Sequence, residues 1–219
     1  MGVCHTRVAR KHMNTTFDFV VSCDDKRAKQ AQTVLLHAHT CVRQLEQELS
    51  EFLPQSAVSR LNNAGVEEKL PVPTSVLQLL ELSAQMEEIS GGAFDCAIKG
   101  ARKVRPAFGW DLELGVAWRR GENEKLSFAA IGKGYALEMV RMQLAQEGFT
   151  DFNLDAGGSS LILSGFSAPQ TPWTFGWAWK KDEDGNWLGI PLHHETGETI
   201  AIGVSGTCEQ GFHVTDPRT

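Results

Sequence analysis

Residues able to do chemistry fall in a few short segments of this chain. Gly132-Lys133-Gly134 follows the apolar run Ala129-Ala130-Ile131, where a strand is expected to enter a helix. Free backbone N–H groups at a helix start, with the Lys133 ammonium as a point charge, suit a phosphate. The same residues also suit a tight strand-to-helix turn with a solvated lysine. Asp155-Ala156-Gly157-Gly158-Ser159 pairs two glycines that let a backbone approach a ligand closely, with Asp155 and Ser159 as polar handles; a β-turn or bulge would use the same residues. His213 and Asp216 stand three apart, with Ser205 nearby, which admits a serine nucleophile with a histidine base. Gly203-Val204-Ser205-Gly206-Thr207 is not G-x-S-x-G, however, and no helix follows to form the elbow such a serine needs. On a helix His37 and Cys41 lie one turn apart while His39 faces elsewhere, and no carboxylate or second cysteine completes a metal shell.

Composition narrows the classes of function. The 219 residues are 42% hydrophobic, 22% charged and 8% aromatic, a globular make-up that excludes disordered and fibrous chains. With 27 acidic against 21 basic residues the net charge is −6, and no basic stripe interleaved with aromatics appears, so a nucleic-acid partner has no electrostatic support. No apolar run approaches the roughly 20 residues that span a bilayer, so no transmembrane segment is expected. Arg7, Arg10 and Lys11 are followed by no apolar stretch and cannot act as a secretory signal as written. The expected location is cytoplasmic, or periplasmic and membrane-anchored if a signal has been removed. Cys4, Cys23, Cys41, Cys96 and Cys208 are odd in number, scattered and without C-x-x-C spacing, which reads as reduced thiols.

The elements that must position these groups follow from periodicity. Thr15 to Val21 reads as a strand, and Asp24 and Asp25 open a helix about 25 residues long with Ala31, Val34, Leu35, Ala38, Val42, Leu45, Leu49 and Phe52 on one face. It ends before Pro54, and a polar turn runs through Asn62-Asn63-Ala64-Gly65. Thr74 is the expected N-cap of a second helix whose apolar face is Val76, Leu79, Leu80, Ser83, Met86 and Ile89, stopped by Gly91-Gly92. After a loop with Trp110 and Trp118, a third helix runs from Gly132 or Lys133 to Glu147, with Gly148 as its left-handed terminator. Strands follow at Phe152 to Leu154, Leu161 to Leu163, Trp173 to Trp179 and Ile200 to Val204, with a hairpin turn at Asp184-Gly185. Strand, three helices, then strands is an α+β order and not a doubly wound sheet.

Read in order, the segments resemble the ApbE family, from about Met13 to the last residue. They are Met13-Asn14-Thr15-Thr16-Phe17; Leu49 to Asn62, similar to S-x-Y/F-x-x-x-S-x-x-x-x-x-N; Gly91-Gly92-Ala93-Phe94-Asp95; Ala130-Ile131-Gly132-Lys133-Gly134-Tyr135-Ala136; Asp155-Ala156-Gly157-Gly158; and Val204-Ser205-Gly206 with His213-Val214-Thr215-Asp216-Pro217-Arg218-Thr219. The resemblance implies a single ApbE-like α+β domain over residues 1–219, with antiparallel sheets packed with helices. It implies an FAD:protein FMN transferase, which attaches FMN from FAD through a phosphodiester to a threonine of an acceptor flavoprotein and releases AMP with the help of Mg2+. The alternative is a degenerate relative that binds FAD without transferring it.

Carried over by position, Met13, Phe52, Ala93, Phe94, Asp95 and Lys133 would contact FAD, the carbonyl of Ala130 would be a metal ligand, and His213 would be the base. Such roles are chemically coherent, since splitting a pyrophosphate needs positive charge at its oxygens and a base of near-neutral pKa on the attacking hydroxyl. The chain departs from the family pattern at Ser127, where an aspartate is usual, and at Thr15, where a glycine is usual. It also stops at Thr219, just where the family continues toward an acidic and threonine segment that supplies the metal's side-chain ligands; slow or absent transfer by these 219 residues is the expectation.

Overall fold

Alternation along the first 24 residues builds a hairpin. β1 (Val3–His12) and β2 (Thr15–Asp24) pair antiparallel from His12↔Thr15 to Val3↔Asp24. Phe17, Phe19 and Val21 turn inward and are buried, while the residues between them face outward. The computed structural model describes residues 2–97, 106–181, 183–184, 187–194 and 197–205. The five-stranded sheet has the order β1-β2-β6-β7-β11, with β6 (Phe152–Ala156), β7 (Ser160–Ser164) and β11 (Ile200–Gly203). β8 (Phe166–Ala168), β9 (Thr171–Lys181) and β10 (Trp187–His194) make a second antiparallel sheet, tied to the first where the Trp173 indole N–H donates to the Ser164 carbonyl at 2.8 Å. Gly185 of the expected β9–β10 turn lies outside the described residues.

Two compact units result, each drawn from two stretches of chain. The first takes residues 1–40 and 137–204 and holds both of these sheets; the second takes residues 41–136 and 205–219. The chain passes from one to the other inside α1 (Ala28–Leu49) and returns inside α4 (Gly132–Gln146). α1 begins as expected, since the Asp24 carboxylate accepts the Lys26 N–H at 2.9 Å ahead of a short 3-10 turn. Its expected stripe is buried throughout: Ala31, Val34, Leu35 and Ala38 in the first unit, and Val42, Leu45 and Leu49 in the second. Phe52 is the exception, for the helix stops at Leu49 and the Phe52 ring is 82% exposed. In the first unit α4 buries Leu137, Val140 and Leu144 and ends on Gly148 at φ +70°. Arg27 donates to the carbonyls of Glu147 (2.8 Å) and Gly148 (2.9 Å), supplying cationic partners to that helix end.

The second unit holds α2 (Ala57–Asn63), α3 (Thr74–Ile89) and a small sheet of order β3-β5-β4, with β3 (Leu70–Pro71), β4 (Phe108–Asp111) and β5 (Val116–Arg119). Several expectations are corrected here. Asn62 and Asn63 are the last turn of a helix, not a loop, because Ser56 caps its start by accepting the Ser59 N–H at 2.9 Å. Pro73, not Thr74, precedes α3, and no side chain caps it. Met86 and Ile89 leave the buried face, at 38% and 79% exposure. Ala129-Ala130-Ile131 is a turn and not a strand.

A buried polar chain crosses the first unit. His39, 1% exposed, stacks on Phe19 with ring centroids 4.5 Å apart. Its Nε2–H donates to the Val8 carbonyl at 3.0 Å, which leaves Nδ1 to accept from His12 Nε2–H at 3.2 Å. Burial pushes the His39 pKa below its ordinary 6.5, and the nearby His12 and Arg10 add to this against the Val8 bond. The folded state therefore holds fewer protons at His39 than the unfolded chain, and the stability this confers is present above about pH 6.5 and lost as the pH falls through it. Denaturant unfolding between pH 7.5 and 5.5 should show a loss of up to about 1.4 kcal/mol per pH unit from this one group, and His39→Gln should flatten the slope.

Candidate functional site

The second unit assembles its polar and aromatic residues on irregular backbone, which must be held by side chains because no ladder holds it. Leu126 is fully buried in the stretch before α4, and the Asn62 amide satisfies both of its backbone groups: Nδ2 donates to the Leu126 carbonyl at 2.9 Å, and Oδ1 accepts the Leu126 N–H at 2.7 Å. Lys125 Nζ donates to the Asn62 carbonyl at 2.7 Å, and Ser127 N–H donates to the Cys96 carbonyl at 2.8 Å. Gly132 N–H then folds back to Phe128 at 2.7 Å and starts α4, placing Lys133 and Gly134 in its first turn. Gly134 is exposed, and a side chain added there would meet nothing within 4 Å. Glycine is a poor helix residue, so its presence where packing does not need it leaves the backbone approachable from outside.

The Ser50 to Ser56 loop faces this turn. Ser50 Oγ accepts the N–H groups of Phe52 and Leu53, each at 3.2 Å, and its carbonyl accepts the hydroxyls of Ser56 and Ser59. Fixed in this way, the loop presents the Phe52 ring to solvent and turns Glu51 to accept the Ser127 hydroxyl at 2.8 Å. That contact joins the Phe52 loop to the approach to Lys133, and no sequence signal announces it across 76 positions. The Gly91-Gly92 turn, with φ of +60° and +82°, leads into Ala93, Phe94 and Asp95. Phe94 N–H donates to Ser90 Oγ at 2.9 Å, and Asp95 accepts the Ala97 N–H at 2.8 Å. A cavity of about 20 Å³ beside Asp95, walled by Leu80, Phe108 and Trp110, has room for a water and not for a flavin ring. Tyr135 donates to Gln78 at 2.5 Å; burial, then Glu48 and Cys41, raise its pKa and keep it neutral.

Met13 belongs to the first unit, at the tip of the β1–β2 hairpin. Met13 and Asn14 have φ of +48° and +59°, the paired left-handed geometry of the tightest hairpins, where Asn-Gly is favoured and methionine is strained. Within the Asp155–Ser159 segment, Asp155 and Ala156 end β6, and Gly157-Gly158-Ser159 is the hairpin turn to β7. Gly157 (φ +73°) is required there, since an added Cβ would lie 2.0 Å from Thr15 Oγ1, and its N–H donates to the Thr16 carbonyl at 2.9 Å. Asp155 accepts the Gly158 N–H at 2.6 Å, so its carboxylate shapes the turn. His213 and Asp216 lie outside the described residues. Ala130 is an exposed residue, but among the described residues no three His, Cys, Asp or Glu side chains converge to hold a metal, and one neutral carbonyl does not fit the octahedral demand of magnesium. No helix among them is long and apolar enough to cross a membrane.

This arrangement of helices and antiparallel sheets is the fold of solved flavin transferases. A Vibrio cholerae flavin transferase ApbE superposes with a TM-score of 0.77 at 17% identity, covering 99% of this chain and 77% of that one. A Thermotoga maritima ApbE protein gives 0.78 at 17% identity with the same coverage, and a Pseudomonas stutzeri flavinyl transferase ApbE gives 0.73 at 18%, covering 87% of this chain and 65% of that one. The model of the ApbE family matches residues 13–219, and the chain belongs to that family. Among curated proteins none matches it.

Asn62→Ala would leave the Leu126 N–H and carbonyl buried without partners. At about 1–3 kcal/mol for each buried group left unsatisfied, denaturant unfolding should show a loss of roughly 2–5 kcal/mol, against less than about 0.5 kcal/mol for the control Gln32→Ala on the exposed side of α1.

Proposed function

We propose that residues 1–219 act as one transferase domain that moves FMN from FAD to a threonine hydroxyl of an acceptor flavoprotein. The observation that carries this reading is the family match over residues 13–219, supported by similar structures that are flavin transferases by name. In the proposed step the threonine oxygen bonds to the FMN phosphorus, the pyrophosphate P–O bond breaks, and AMP leaves. His213 takes the hydroxyl proton, as general base for an otherwise poor nucleophile. The exposed Phe52 ring, the Ala93-Phe94-Asp95 loop and the strained Met13 tip are the proposed FAD contacts, and Lys133, beside the open backbone of Gly134, supplies charge to the pyrophosphate. The Ala130 carbonyl would offer a Mg2+ ion a single neutral oxygen, which does not by itself make a magnesium site.

FAD titration followed by flavin fluorescence tests binding, with Lys133→Ala as the discriminating variant. A charge-assisted contact of about 1.5–3 kcal/mol makes FAD bind some ten- to a hundredfold more weakly in the variant, while riboflavin, which has no phosphate, is nearly unaffected. Equal losses for both ligands would mean that the turn has deformed. Transfer is read as covalent flavin fluorescence on an acceptor protein after denaturing electrophoresis, with and without magnesium. His213→Ala should lower its rate by about 10²–10⁴-fold. FAD binding with no transfer under any condition would leave a flavin-binding relative in place of an enzyme.

A further inference from the structure

Cys4 and Cys23 are separated by 18 residues of sequence, yet the β1–β2 register sets them directly opposite one another, with sulfurs 4.0 Å apart. We propose that this pair is a redox modification site, in which a small disulfide such as oxidised glutathione converts the two thiols to a Cys4–Cys23 cross-link. Three observations carry it. Directly opposed residues on antiparallel strands have Cα separations of about 4.5–5.5 Å, within the range a disulfide spans, so rotation of the side chains can close the gap without moving the backbone. Both thiols are only half-buried. A cleft of about 250 Å³, with Val3, Cys23, Asp24 and Phe166 in its lining, opens beside Cys23, and the half-buried Cys4 stands opposite on the edge strand β1.

The steps balance as two exchanges. The Cys4 thiolate attacks one sulfur of oxidised glutathione and releases the first glutathione thiolate, which takes up the proton Cys4 has lost. The Cys23 thiolate then attacks the Cys4 sulfur of the mixed disulfide and releases the second glutathione, so two protein thiols are oxidised while one glutathione disulfide is reduced to two thiols. Cys23 is the resolving thiol. Burial, followed by its hydrogen bond to Cys4, pushes its pKa up to about 11, so in the reduced pair Cys23 is little ionised at neutral pH and ring closure depends on pH.

Incubating the reduced protein with oxidised glutathione and mapping its peptides by mass spectrometry tests the site. The expected result is a protein about 2 Da lighter, with Cys4 and Cys23 peptides joined and two of its five thiols lost to a thiol reagent. Closure should speed up about tenfold per pH unit between pH 7 and 9. Cys4→Ser, a change on the edge strand, should abolish the cross-link; Cys23→Ser should trap a glutathione adduct on Cys4. A thermal melt of each reduced variant checks that it is folded. A glutathione adduct that persists on Cys4 in the wild-type chain at pH 9, or a cross-link joining other cysteines in preference to this pair, would overturn the proposal.

Discussion

A buried backbone that runs outside any helix or sheet must still find hydrogen-bond partners, and in the second unit that demand falls on Asn62. Its amide has one donor and one acceptor side, and it meets the two backbone groups of Leu126 as a neighbouring strand would. Everything that follows in the chain, from Ser127 through the Phe128 turn to the first turn of α4, starts from that fixed point. An aliphatic residue of similar size would fill the space and leave two polar groups stranded. The lysine turn is thus placed by a side chain some seventy positions earlier, carried on a helix of only seven residues whose own start depends on the Ser56 cap.

Serine hydroxyls do the equivalent work around the exposed aromatic ring. Ser50 gathers the N–H groups of Phe52 and Leu53 and, through its carbonyl, the hydroxyls of Ser56 and Ser59. An exposed phenylalanine on a loose loop would collapse against the nearest apolar surface; on a loop fixed at both ends it stays presented. At the hairpin tip of the first unit strain replaces bonding. Two left-handed residues, neither of them glycine, are kept there by the ten paired positions of β1 and β2. Strain of this kind persists where the surrounding structure over-determines it, and it clusters at functional positions.

Local patterns in the sequence determined most of the fold. The buried stripe of α1, the Asp24 cap, the Gly91-Gly92 stop, the Gly148 terminator and four of the five strands of the larger sheet, β2, β6, β7 and β11, could be read from short-range periodicity and turn chemistry, because those features depend on residues within a few positions of one another. The ordered motifs also identified the ApbE family, and they marked Asn62, Phe52 and Lys133 without revealing what holds them. Tertiary structure decided the rest. β1 has few strand-forming residues and exists because β2 offers it a partner. β4 and β5 are too short to announce themselves, and Ala129-Ala130-Ile131 has a strand's composition but turns, because Phe128 accepts the N–H groups of Ile131 and Gly132. Met86 and Ile89 keep the period of a buried face in a helix that outruns its cover. Scattered cysteines became neighbours through hairpin register, and Ser127 met Glu51 through the meeting of two loops. Spacing along a chain specifies which residues share one face of an element; which elements then face each other depends on how buried surface and backbone hydrogen bonds are satisfied across the whole fold, and that is not written in any local stretch.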